Sequence, residues 1–220
     1  MAADDALLAS VAAGGPPVLR LYRFDPPALT LGRFQADTDV DRAACTRLGV
    51  EVARRPTGGR ALLHGPDVTY AVALPEPPGV AGRVDELYRY LADGLIDGLA
   101  RLGVAAGVAC AGGPRGPVCM AAQQGADLRV GDRKVCGSAQ VRRAGVVLQH
   151  GSVLLDRLAF DETDLVRDPG LDRDALRAAT VTLAELGAPT EPGTVATALA
   201  EGFAAALGVS FRAVPGLSGA

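Results

Sequence analysis

Apolar and polar positions follow two periods along this chain, and the switches between them mark its elements. Residues 2–13 carry apolar side chains at helical spacing, whereas VLRLYRF (18–24) and ALTLG (28–32) read as strands parted by Pro26 and Pro27. Asp37 or Thr38 is placed to cap a helix running to about Leu48, which Gly49 can end. VEVARR (50–55) reads as a strand entering the loop PTGGR, and ALLH followed by DVTYAVALP supplies two more. A stripe of Val84, Leu87, Leu91, Leu95, Leu99 and Leu102 predicts one long helix. A strand near 104–110 comes next, then the flexible stretch AGGPRGPVCMAAQQG. Three strand-like runs follow, DLRV, RKVCGSAQVRR and GVVLQHGSVLLD, the first two joined by a turn at Gly131 and Asp132. Past Asp156 the pattern is helical and ends in TVATALAEGFAAALG with a short strand VSFRAV. Hairpins in the middle with helices before and after predict an α+β fold, a mixed, largely antiparallel sheet flanked by helices.

Composition narrows the class. A chain of 220 residues with 49% hydrophobic content can bury a sizeable core, most simply as one domain over 1–220. No apolar run approaches the roughly 20 residues of a membrane span, and Met1 is followed by acidic rather than basic residues, so a cytoplasmic protein with no membrane partner is expected. Cys45, Cys110, Cys119 and Cys136 form no CxxC pair and only two histidines are present, which disfavours a zinc site and fits free thiols. A net charge of -3 with no long basic stretch argues against a nucleic-acid partner.

The charge composition also singles out one residue. Lys134 is the only lysine, and arginine fills every other one of the 22 basic positions. Guanidinium cannot give up its proton, whereas burial readily lowers an ammonium from its ordinary pKa of about 10.4, so a lone lysine among arginines suggests an amine that must titrate. Chance retention of a surface lysine is the competing reading. The setting GDRKVCGSAQ favours chemistry, because its glycines and small residues suit close approach of backbone to a ligand. Three further stretches stand out: RRPTGGRALLH (54–64), where Gly58 and Gly59 can turn backbone amides toward a polar head group near Arg54, Arg55 and Arg60; His64 at a strand end; and His150 in LQHGSVLLD. Each also has a structural reading, as an ordinary turn or as a hydrogen-bonded strand histidine.

Together RRPTGGRALLH with DVTYAVALP, GDRKVCGSAQ and GVVLQHGSVLLD, in that order, resemble the lipoate-protein ligase A and octanoyltransferase family, and MAADDALL resembles that family's MALDEALL-like helix. The resemblance spans Met1 to about Val209. It implies the fold shared with biotin protein ligases and class II aminoacyl-tRNA synthetases, and a tunnel for a medium-length acyl chain. The substrate-binding residues it implies are Arg55, Thr57, Gly58, Gly59, Arg60, His64, Gly137, Ser138, Ala139, His150 and Gly151. The family has a strand ahead of the MALDEALL-like helix, and Met1 falls inside that motif here, so either the start is called too late or the sheet lacks this edge strand, the latter being the expectation.

The loop TGGR with HGPD resembles the cysteine-dependent octanoyltransferase branch more than the SGGG and HD of ATP-dependent ligases. That branch carries a Val-Cys pair ahead of the lysine segment, matched by Val118 and Cys119, fifteen residues before Lys134. The resemblance therefore implies catalytic Cys119 and Lys134: octanoyl passes from acyl carrier protein to a cysteine thioester, then to a lysine of a lipoyl-domain protein such as glycine cleavage H protein, with no cofactor required. Cys119 also sits in a Gly- and Pro-rich loop that tolerates an idle cysteine. Met120 stands where an aromatic is common in the branch. Cys136, two residues from Lys134 on one strand face, is expected to pack beside the substrate, and Cys45 and Cys110 in the core. Two alternatives are an ATP- and Mg-dependent lipoate-protein ligase and a non-catalytic acyl-binding module.

Overall fold

Two sheets form the frame of the computed structural model, which describes residues 2–79, 82–108, 118–120 and 127–214. With strands numbered in chain order, the larger sheet runs β1 (Val18–Tyr22), β5 (Asp67–Pro75), β9 (Val146–Leu154), β8 (Arg133–Arg143), β7 (Leu128–Val130), β6 (Gly107–Val108), every pair antiparallel. The smaller is β3 (Glu51–Arg54), β2 (Ala28–Leu31), β4 (Leu62–His64), with β2 and β3 parallel. The α+β expectation holds.

Alternation along β5 sets the layers. Val68, Tyr70, Val72 and Leu74 face α3 (Val84–Arg101) and α5 (Pro192–Leu207), whose Leu87, Leu91, Leu95, Leu99, Val195, Leu199 and Phe203 are fully buried with them. Ala71 and Ala73 face α1 (Ala2–Ala12), which contributes Leu7, Leu8 and Val11. The helices α3 and α5 approach so closely that a Cβ added at Gly98 would lie 2.8 Å from the Leu199 Cα, which requires the glycine. A second core under the small sheet joins Leu29, Leu31, Cys45, Leu62 and Leu63 to Leu165 and Leu176, the last on α4 (Arg173–Ala179).

The sequence pattern misplaced some boundaries. The helix expected from Asp37 splits into a 3-10 turn (Asp37–Asp39) and α2 (Arg42–Arg47), because Asp41 is the cap and accepts from the Ala44 amide at 3.0 Å. Val84, expected in the buried stripe, is 43% exposed in the first turn of α3. No strand forms over 209–214, where the chain has left the sheet and lies exposed. Cys110 and most of the expected flexible stretch lie outside the described residues. Among the described residues no helix is long and apolar enough to cross a membrane.

A 3-10 turn (Glu162–Asp164), capped by Asp161, swings Glu162 inward under the small sheet, where its carboxylate accepts the Leu63 amide at 3.2 Å. Burial pushes this carboxyl up to about 7. A carboxyl whose pKa is raised by folding contributes stability that is present below its unfolded pKa and lost as pH rises through the folded value. Glu162→Gln keeps the acceptor and removes the titration. The variant should melt with wild type near pH ~4 and exceed it by on the order of 3 kcal/mol above pH ~8, measured by pH-dependent thermal denaturation. Equal melting at both pH values would show that the buried carboxyl costs nothing.

Candidate active site

Lys134 is 1% exposed, so its charge must be met inside the protein. Its Nζ lies 2.8 Å from Asp127 Oδ2, a carboxylate just ahead of β7, and donates to the Cys119 carbonyl at 3.2 Å. Asp127 is held in turn by the Ser138 amide, which donates to Oδ1 at 3.2 Å. Burial pulls the ammonium pKa down, but negative charge at Cys119 and Asp127 outweighs it and the net shift is upward. This corrects the expectation of a lysine lowered by burial: the counter-charge wins, and the amine stays an ammonium.

Cys119 is partly exposed, and its amide donates to the Ala61 carbonyl at 2.8 Å, which ties the cysteine to the end of the glycine loop. It stands where two clefts meet. One, of about 510 Å³ with its open mouth, is lined by Gly58, Gly59, Tyr88, Asp127, Lys134 and Ser138 to Gln140. The other, of about 340 Å³ counted with its open mouth, runs over Gly137, Ala139, His150 and Gly151 toward Tyr22, Thr30, Leu62, His64 and Thr69. Its floor is made of glycine and alanine on β8 and β9, where Ser138 pairs with Gly151 and Ala139 with His150. A groove floored by small residues leaves room for a slender apolar chain.

The glycine loop is set by Arg55, which is 4% exposed. Its guanidinium donates to the carbonyls of Gly58 (3.0 Å), Arg60 (2.6 Å) and Thr30 (2.9 Å) and to Thr30 Oγ1 (3.2 Å). Every donor is spent on the protein, so Arg55 shapes the loop rather than binding a head group. Gly59 has φ +93°, and a Cβ there would lie 2.6 Å from an Arg55 nitrogen.

Two hydroxyl–histidine–carboxylate chains flank the groove. His64 contacts Asp67 Oδ2 at 3.0 Å through Nδ1 and Thr30 Oγ1 at 3.0 Å through Nε2. His150 contacts Asp4 Oδ2 at 3.2 Å through Nδ1 and Thr57 Oγ1 at 2.6 Å through Nε2. Burial lowers the pKa of His150, while Asp4, though raised by burial, is held below its ordinary value by His150 and Arg20. The contact at Asp4 is therefore a neutral imidazole donating from Nδ1 to a carboxylate, which leaves Nε2 to accept from Thr57.

Most of the expected site residues converge. Cys119, Lys134, Gly58, Gly59, Ser138, Ala139, Gly137, Gly151, Arg55, His64 and His150 line one or both clefts. Thr57 lies one step back, bonded to His150. Arg60 is not brought in: only its carbonyl serves the loop, and its side chain is exposed outside both clefts. Cys136, expected beside the substrate, lines neither cleft. It is fully buried in the main core, where burial pushes its thiol up to about 12. Cys45 packs in the core as expected.

Four contributors were missed. Asp4 was legible, since it shares the inward stripe of Leu7, Leu8 and Val11 at helical spacing, and a carboxylate there must meet a partner. Asp127 and Tyr88 gave no comparable signal: Asp127 meets Lys134 across the β7–β8 hairpin, and Tyr88 comes from α3, a distant segment. Tyr22 is met through the β1–β5 pairing opposite Thr69.

Residues 1–168 match the family described as lipoyl protein ligase A/B catalytic domain. The chain is 42% identical to an octanoyltransferase LipM from Kyrpidia tusciae, covering 98% of this chain and 84% of that one. A second octanoyltransferase LipM, from Symbiobacterium thermophilum, is also 42% identical, with 96% and 82% covered. The fold is similar to a lipoate-protein ligase A solved with ATP, with a TM-score of 0.77 at 25% identity, covering 95% of this chain and 80% of that one. A bipartite lipoate protein ligase from Thermoplasma acidophilum gives 0.74 at 23% identity, with 96% and 81% covered. A match over three quarters of the chain, with relatives this similar along nearly all of it, decides the matter: the chain belongs to the lipoyl protein ligase A/B catalytic domain family.

Proposed function

We propose that this protein is a cytoplasmic octanoyltransferase that moves octanoyl from acyl carrier protein through a thioester on Cys119 to a lysine of a lipoyl-domain protein. The observation that carries the reading is the position of Cys119, partly exposed where an apolar groove meets the cleft holding Lys134. The naming of similar proteins as octanoyltransferases supports it.

In the first half-reaction the Cys119 thiolate attacks the carrier thioester. A new C–S bond forms, the bond to the carrier sulfur breaks, and the carrier leaves as a thiol after taking up the proton. In the second, the acceptor amine attacks the enzyme thioester, the amide forms and Cys119 is released as thiol or thiolate. Exchange between thioesters is nearly isoenergetic and amide formation is downhill, so no ATP is needed. The role of Lys134 follows from its surroundings. An ammonium kept charged by Asp127 stabilises the thiolate and the developing oxyanion electrostatically, in place of the proton shuttle expected from the sequence. The Ser138 amide is spent on Asp127, whereas the amides of Gly58 and Gly59 donate to no protein acceptor among the described residues and suit the oxyanion.

Three outcomes are expected. Mixing with octanoyl carrier protein without ATP should add an octanoyl mass, removable by hydroxylamine, to wild type and not to Cys119→Ala. Full transfer by Cys119→Ala would end the cysteine mechanism, and lipoate-dependent AMP formation would replace it with the ligase reaction. Lys134→Met combined with Asp127→Asn, which strands no buried carboxylate, should slow alkylation of Cys119 by iodoacetamide at neutral pH and lower transfer by about 10² or more. An unchanged alkylation rate in the folded variant would remove the electrostatic role. Gly59→Ala should cost about 10²-fold in transfer with little change in circular dichroism, since its Cβ displaces Arg55 from the loop. A wild-type rate there would reduce the loop to an ordinary turn.

A further inference from the structure

Phe34 is 86% exposed, more than any other large apolar side chain among the described residues. An aromatic ring in water on a mobile tip would mean little, but this one is rigidly presented. Arg54 donates to the carbonyls of Gly32 and Gln35, each at 2.7 Å, and the Arg33 amide donates to the Thr57 carbonyl at 2.8 Å. The last bond fastens the Phe34 loop to the glycine loop that lines the Cys119 cleft, and Gly32 has no room for a Cβ against Gly59. Phe34 therefore stands on the rim of the catalytic mouth.

The charge around it is opposite to that of the chain. The protein carries a net charge of -3, yet exposed Arg33 precedes Phe34, and exposed Arg60 follows Gly59 on the adjoining glycine loop. Neither guanidinium has a carboxylate partner among the described residues, and the Arg33 guanidinium lies 5.4 Å from the Phe34 ring centre. Nearby Asp37 is already engaged by Arg54 at 2.9 Å and Arg42 at 3.4 Å. An exposed aromatic anchor beside an arginine with no carboxylate partner among the described residues is the composition of an interface centre.

We infer that Phe34 and Arg33 form the docking surface for the acyl acceptor, an acidic folded domain that offers its lysine into the cleft. Reach selects the acceptor over the donor. A lysine has only its four-carbon stem, so the body that carries it must press against the rim of the Cys119 cleft. A donor whose acyl group hangs on a long prosthetic arm can rest its body farther away. The inference rests on the transferase reading for the identity of the partner, but docking is measurable without any chemistry.

The experiment titrates unmodified glycine cleavage H protein into wild type, Phe34→Ser and Arg33→Glu by calorimetry. Acylation of Cys119 by octanoyl-N-acetylcysteamine runs in parallel. Each variant should weaken acceptor binding by about tenfold or more while acylation by the small thioester stays at the wild-type rate. Acceptor affinity unchanged in both variants would overturn the inference. So would an unchanged acceptor affinity with a raised KM for octanoyl carrier protein, which would give the surface to the donor. Absence of any acyl-enzyme in wild type would sink the thioester reading instead and leave the binding comparison to decide the docking surface.

Discussion

A buried ammonium dictates the geometry of this site. Lys134 is the protein's only lysine and is almost fully out of water, so the fold must supply both a counter-charge and acceptors for its protons. Asp127 provides the first, from the stretch that leads into β7, and the Cys119 carbonyl provides one of the second. Two points of the chain, eight residues apart, thereby meet one charge. Replacing such a pair by apolar residues can be neutral for stability, so its retention points to chemistry rather than to holding the fold together.

The remaining polar groups tie the two sheets to each other. Thr30 on β2 takes a hydrogen bond from Arg55 and is hydrogen-bonded to His64 Nε2, while the other ring nitrogen meets Asp67 at the start of β5. Thr57 in the glycine loop meets His150 on β9, which meets Asp4 on α1. Each chain crosses from the small sheet or its loop to the large sheet or its helix, with the acyl groove between them. Buried polar groups that are all satisfied give a rigid frame, and a groove framed this way keeps its shape when empty.

The fold was largely legible because its strands follow clear periods: β5, β8 and β9 lie within a residue or two of the runs read from the pattern, and α3 follows its leucine stripe. Errors fell where local chemistry decides. Asp41, not Asp37, caps α2, since only the structure shows which carboxylate reaches an open amide. At the site, residue identities were readable and their roles less so. Lys134 was singled out, but its pKa direction depends on Cys119 first and Asp127 second, partners that only the fold brings to it. Arg60, a substrate-binding residue implied by the resemblance, and Cys136, expected to pack beside the substrate, each point elsewhere, the first outward and the second into the core.

One constraint links the lysine to the groove floor. Lys134 reaches the cleft by lying back along its own strand over Gly137, where an added Cβ would come within 3.1 Å of its Cε and 3.3 Å of its Nζ. The same position would press on the Met120 sulfur at 3.4 Å, the side chain that follows Cys119. Gly137 is therefore glycine for the ammonium's sake as much as for the acyl chain's. Across the ladder, Gly151 faces the Gly137 carbonyl and the Tyr70 ring too closely for any side chain. The small residues that make the floor thin enough for a ligand thus also set where the one buried positive charge can sit. Room in the groove and the seat of the buried charge come from the same missing atoms.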